Sequence, residues 1–393
     1  MKINLIKIVS SIYLFCVMWG VFVVNASQDL LYVMTVVFLV IQCFLLIGSN
    51  AKFKIYWGKT EYICLMILIT WLYGITIGII RGNNIRYVFR NFAGLSLFFL
   101  IYSIKNMRLP LKSILNLVLF ISTLEAILLP IVFVCLKIGI YGLYQKIPII
   151  SCLELNLDDT GYIGVLFNSC SMIFVGYIYC LYKCLYLGKI FSKYMVGVVY
   201  DALVIMICSR MGGMELALLG LTALMVFSFV GRRMNKWGFT ICFIGMLLAI
   251  AGMIMLNINP IAIIFGRADS GNNERYRQIK YVISHLSLCG HGLGAEYIEL
   301  GKGYAIEVIY VDLVYKLGIM SIPIFGTYAY IMLNAIKILR KTEGNAYDSI
   351  PLGLTGCLFF SFGNPFLFSG VSVLSCVIAM LTIESLMKRS DII

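Results

Sequence analysis

Residues 113–136 read SILNLVLFISTLEAILLPIVFVCL, with Glu125 the one charged residue among them. As an α-helix rising about 1.5 Å per residue, a stretch of this length covers the roughly 30 Å hydrocarbon core of a bilayer. Pro130 is tolerated in such a helix because neighbouring helices can satisfy the backbone group it frees. Eleven further stretches have the same character, at approximately 8–25, 30–48, 62–80, 91–104, 162–182, 195–208, 213–230, 238–258, 307–336, 351–363 and 370–387. The expected architecture is therefore an all-α polytopic membrane protein of about 12 transmembrane helices. Residues 1–393 form a single transmembrane domain, with one long outer loop at about 259–306.

The composition agrees. Of 393 residues, 61% are hydrophobic and 12% charged, with a mean hydropathy of +0.97. Soluble domains carry about 25% charged residues, so this chain lacks the polar surface to cover a water-soluble globule. Its net charge of +13 would suggest nucleic-acid binding in a soluble protein. In a membrane protein the same excess reads as basic cytoplasmic loops, and no nucleic-acid partner is expected. The thirteen cysteines sit almost wholly in apolar runs, with no C-x-x-C pair, and read as small buried hydrophobes. The apolar stretch after Lys2 and Lys7 reads as an uncleaved first helix.

Sorting the cations by side sharpens the topology. With the N-terminus inside, clusters such as Lys52, Lys54, Lys59, then Lys105, Arg108, Lys112, then Lys337, Arg340, Lys341 mark every cytoplasmic segment. Both termini then lie in the cytoplasm. Eleven cations fall outside: Arg81, Arg86, Arg90, Lys137, Lys146, Arg210, Arg267, Arg275, Arg277, Lys280 and Lys302. Lys316 remains within a helix beside Asp312. The working surface is expected on the outer face.

Several constellations there could carry chemistry. Ser209-Arg210-Met211-Gly212-Gly213 joins two apolar runs at the outer boundary. An Arg in a membrane costs about 2.5–3.5 kcal/mol at the helix centre and less towards the surface, so Arg210 needs a ligand or a tie to Glu215. In the long loop, Arg267, Arg275 and Arg277 suit a phosphate or diphosphate, whose oxygens guanidinium forks match in pairs. A solvated basic loop at the headgroups is the alternative. Gly290, Gly292 and Gly294 permit positive φ and close backbone approach. Glu307, where the loop re-enters the membrane, is expected to be partly desolvated and suited to proton transfer. Asp312 and Lys316, four residues apart, should neutralise each other. Of the histidines, His291 between glycines is the better functional candidate than His285. Arg86 and Arg90, one turn apart, extend an anion site or anchor a helix end. Glu125 and Asp201 are intramembrane carboxylates, functional suspects or interhelical hydrogen-bonding groups. No Walker loop, Ser/His/Asp arrangement or metal-ligand cluster is present.

The S-R-x-G turn between two spans, the arginine-bearing outer loop with G-x-G-x-G, and an acidic residue re-entering ahead of K-L-G-I together resemble the O-antigen polymerase and ligase family. The resemblance covers about 195–340 by motif. It implies a GT-C-like helical glycosyltransferase acting on undecaprenyl-diphosphate-linked glycans at the periplasmic face of the bacterial inner membrane, without metal or cofactor. By position, the family's turn arginine is Arg210 and its loop arginine is Arg275 or Arg277. The ligase branch commonly has a His at re-entry, often followed by Asn. Glu307-Val308 stands there instead and favours the polymerase branch. The resemblance further implies a possible chain-length regulator as partner.

The expected site is thus Glu307, then His291, as base, with Arg210, Arg267, Arg275, Arg277, Arg86 and Arg90 on the diphosphate. A flippase for lipid-linked oligosaccharides is the competing reading, and O-antigen ligase a further one. Transporters tend to have repeated halves and midplane sites, whereas here the charge gathers at one face and no internal repeat is evident.

Overall fold

The computed structural model describes residues 57–107, 110–139, 154–157, 163–166, 169–189, 191–209, 212–232, 271–341, 344–362 and 366–390, with seven single positions before residue 41. In chain order the helices are α1 (Lys59–Ile80), α2 (Ile85–Arg90), α3 (Leu100–Met107), α4 (Leu111–Lys137), α5 (Ile173–Tyr186), α6 (Lys193–Leu203), α7 (Gly212–Gly231), α8 (Gly271–Ser284), α9 (Ile309–Leu317), α10 (Ile322–Lys341), α11 (Ile350–Leu354), α12 (Gly356–Phe360) and α13 (Gly370–Ser390).

Among the described residues, five helices are long and apolar enough to cross a membrane: Lys59–Ile80, Leu111–Lys137, Gly212–Gly231, Ile309–Lys341 and Gly370–Lys388. The chain is helical and built to pass a bilayer several times. Of the other stretches expected to span, 8–25 and 30–48 are described only at single positions, and 238–258 lies outside the described residues.

Four expected spans take a different form, among them 195–208, where the 11-residue α6 runs into a π-helix over Val204–Ser209. The stretch 91–104 is a broken element, a 3-10 helix over Ala93–Phe99 running into α3. Irregular backbone at membrane depth is tolerated where protein covers it. Here Leu95, Leu97, Phe98, Leu100 and Ile101 are all fully buried. The break begins at Phe92, which holds φ 55 with its ring centroid 4.2 Å from that of Phe368. Gly94 then passes so close to the Phe368 carbonyl that a Cβ would lie 1.8 Å from it. The stretch 162–182 opens as a strand: Ile163–Leu166 pairs antiparallel with Glu154–Leu157 before the chain turns into α5. The stretch 351–363 divides into α11 and α12 at Thr355.

Two apolar cores hold these elements. One joins α1, the broken element, the first half of α4, α9, α10 and α13. The other joins the second half of α4 to α5, the π-helix Val204–Ser209 and α7. Polar groups fasten α4 to the start of α5: Ser169 Oγ donates to Glu125 at 2.8 Å, and Ser122 Oγ accepts from the Gly176 amide at 2.8 Å. Glu125 is thereby an interhelical hydrogen-bonding group.

Charged groups tie the ends of several elements together. At one end of α1, the Lys105 ammonium lies between Glu61 and Glu384, joining three segments assigned to the same side. Arg340 reaches the Gly231 carbonyl at 2.9 Å, joining two more. The other end of α1, about 30 Å away at 1.5 Å per residue, carries Arg81 and receives the long loop.

Candidate functional site

The long loop is fastened to α1 before it presents any charge. Gly290, Gly292 and Gly294 have φ of 69°, 77° and 75°. A Cβ on Gly292 would lie 2.3 Å from the Gly78 amide nitrogen, and one on Gly290 would lie 2.3 Å from the Lys316 carbonyl oxygen. The close approach that the G-x-G-x-G spacing permits is therefore made to the protein's own helices. Its amides are already engaged: His291 N donates to Tyr315 O, Gly292 N to Lys316 O and Leu293 N to Gly74 O, each at 2.9 Å. Asn83, just past the end of α1, donates to the carbonyls of His291 and Leu293 at 3.0 and 2.9 Å.

The next segment doubles back. The Tyr297 amide donates to Gly303 O at 3.1 Å and the Lys302 amide to Tyr297 O at 3.2 Å, with Gly301 in the left-handed region (φ 63°) at the reversal. Beneath it lies a buried ion pair on α9, Lys316 Nζ to Asp312 Oδ1 at 2.8 Å, with both side chains wholly buried. The Tyr297 hydroxyl donates to Asp312, and Lys316 donates to the Tyr304 carbonyl. Lys316 also lies 5.2 Å from the Phe92 ring centroid, a cation–π contact that a desolvated ammonium favours. Burial, and then the Asp312 carboxylate beside it, pushes the Tyr297 phenol well above its ordinary value, so it remains a donor. The Tyr304 ring stacks on Tyr87 of α2 at 4.6 Å, bringing the helix of Arg86 and Arg90 alongside.

On this frame half-buried charges of opposite sign alternate, with Arg277 exposed at the edge. Glu307 lies between two cations, with Arg275 Nε 3.5 Å from Oε2 and Lys302 Nζ 3.8 Å from Oε1. Glu274 faces Lys302 at 3.8 Å and Arg277 at 3.4 Å. Arg277 also donates to Leu300 O at 3.1 Å. The buried Gln278 accepts from the Glu307 and Val308 amides at 3.0 and 3.4 Å, fixing where the chain enters α9.

Comparison with protein-family models, curated protein sequences and solved structures finds no match.

Of the residues singled out in the sequence, Arg275 and Glu307 meet directly, and Arg277 joins them through Glu274 and Lys302. Glu307 is half-buried. Its side chain is 37% exposed because it precedes the first buried turn of α9. His291 lies apart from this cluster. Its ring stacks on Tyr315 at 4.2 Å, Nε2 lies 2.8 Å from the His285 carbonyl and Nδ1 lies 3.0 Å from Arg81. A carbonyl only accepts and a guanidinium only donates, so these bonds assign the Nε2–H tautomer and occupy both nitrogens. Arg86 is exposed at the start of α2, and Arg90 ends that helix.

Arg210 and Arg267 lie outside the described residues. The flanking Ser209 ends the π-helix and Gly212 opens α7. Since α7 rises about 30 Å to the Gly231 that Arg340 binds, Gly212 belongs to the end that carries Arg81. Glu215, on the first turn of α7, is fully buried.

Lys302, Glu274 and Gln278 were not legible as site residues. Only the G-K-G of Gly301-Lys302-Gly303, a turn signal around a cation, pointed that way.

Proposed function

We propose that this chain is a polysaccharide polymerase of the O-antigen type. In this reading it joins undecaprenyl-diphosphate-linked repeat units at the periplasmic face of the bacterial inner membrane, with both termini in the cytoplasm. The observation that carries the proposal is the meeting of Arg275, Lys302 and Glu307 at one end of the helical body, where cations for a diphosphate and a carboxylate for a hydroxyl stand side by side.

The chemistry is a displacement at an anomeric carbon. The acceptor sugar hydroxyl gives its proton to Glu307 as its oxygen bonds to that carbon. The bond from the carbon to the diphosphate oxygen breaks, and the electron pair leaves with the lipid diphosphate. Negative charge grows on the leaving group, and preorganised cations stabilise it without reorganising. Arg275 and Arg277 serve this role, with Arg210, Arg267, Arg86 and Arg90 as further ligands of the diphosphate. Direct displacement inverts the anomeric configuration. Glu307 is preferred to His291 as the base because both nitrogens of that imidazole are engaged by protein groups. No metal or cofactor takes part, and a separate chain-length regulator is a candidate partner.

The test is genetic. Deleting the gene and separating the surface lipopolysaccharide on a gel should remove the ladder while one repeat unit stays attached to the core. Loss of every repeat unit would point to a flippase or ligase and overturn the polymerase reading.

A further inference from the structure

The charge cluster at Glu307 has two unlike parts. The backbone beneath it is fixed by the buried Asp312–Lys316 pair, by Gln278 on the Glu307 and Val308 amides, and by the Tyr297–Lys302 reversal. The ion pairs above it are loose. The four that join Arg275, Arg277 and Lys302 to Glu274 and Glu307 span 3.4–3.8 Å, well beyond the roughly 2.7–2.9 Å of a tight charge-assisted hydrogen bond. The Arg275, Lys302 and Glu307 side chains are 29%, 36% and 37% exposed. Loose, solvated ion pairs hold weakly. A rigid frame with a weakly held carboxylate between two cations is suited to exchanging one anion for another.

We infer that Glu307 occupies an anion seat formed by Arg275 and Lys302, and that a diphosphate ester displaces it on binding. This rests on the polymerase reading and deepens it. Lys302 is then a second cation for the diphosphate, facing Arg275 across the seat. The displacement also sets an order. While Glu307 is held between its two cations, its oxygens are engaged. Once the diphosphate takes the seat, the carboxylate is released to accept the proton of a sugar hydroxyl. The base is freed only when a donor is present to react.

The experiment measures binding of undecaprenyl diphosphate, without sugar, to the purified full-length protein in nanodiscs. Glu307→Gln removes the competing charge at constant shape and should bind roughly threefold to tenfold more tightly than wild type. Lys302→Met should bind several-fold more weakly, and Lys302→Arg should bind like wild type. Glu299→Gln removes an exposed acid from the same segment and should leave affinity unchanged within about twofold, as expected of a screened charge. Wild-type binding with no tightening in Glu307→Gln overturns the displacement alone. Equal tightening in Glu299→Gln overturns it too, since the effect is then general charge. No binding by wild type overturns the polymerase reading and this inference with it.

Discussion

Lys316 donates to the carbonyl of Tyr304, so a cation buried on α9 holds the loop segment three residues before Glu307. Asp312 balances that cation and takes the Tyr297 hydroxyl, so the same pair fastens both ends of the chain reversal. The pair thus transmits the position of a helix to the position of a half-buried carboxylate.

Lys316→Met leaves Asp312 buried without its counter-ion. Breaking a buried pair in this way costs about 3–5 kcal/mol, and replacing both partners costs less. Lys316→Met should therefore lower the thermal transition of the purified protein markedly, and Lys316→Met with Asp312→Asn should recover part of the loss. Equal transitions in the single and double variants would show that the pair does not hold the segment.

The glycines of the strap should differ sharply from the glycine of the reversal. Gly292→Ala places a methyl against the Gly78 amide in a left-handed conformation, with backbone on the other side that cannot yield. It should abolish accumulation of folded protein in the membrane. Gly301→Ala meets open space at φ 63° and should cost only about 1 kcal/mol of local strain. Membrane level and thermal transition of the two variants check the contrast.

Arg275→Ala and Arg210→Ala should each remove the lipopolysaccharide ladder at native protein level. Loss of one preorganised donor to a developing negative charge slows such reactions about a hundredfold or more. A normal ladder from either variant would take that arginine out of the mechanism. Glu307→Gln should also lose the ladder, and full activity there would end its assignment as base.

His291→Ala should act through stability. It removes contacts to Arg81 and to the His285 carbonyl and the stacking on Tyr315, together worth about 1–3 kcal/mol. The ladder should persist. Loss of the ladder with an unchanged thermal transition would transfer the role of base from Glu307 to His291.

How much of this was legible in the sequence depended on which physical signal was read. The spans at 62–80, 113–136, 213–230 and 370–387 match α1, α4, α7 and α13 within a few residues, because a long apolar run with few breakers has one stable form in lipid. At 91–104 the same signal misled. Hydropathy reports burial, and this element is buried, but its helix is broken where Phe92 and Gly94 meet Phe368. Arg275 and Glu307 could be picked out as charges near a membrane boundary. Their neighbours Lys302 and Glu274 could not, since their approach depends on the reversal at Gly301 and on the course of α8. The G-x-G-x-G spacing correctly indicated positive φ, while its contacts depended on Gly74 and Gly78, more than 200 residues away in sequence.

The bonds around Gly292 set how this face of the molecule can move. With amides of residues 291–293 bound to α1 and α9, and Ile319 bound back to Leu288 at 2.9 Å, this side of the roof is stitched to the wall of the helical body. It cannot swing open as a hinged cover without tearing those bonds. On the polymerase reading, the lipid-linked substrate is then expected to enter sideways from the bilayer, where its polyprenyl tail lies.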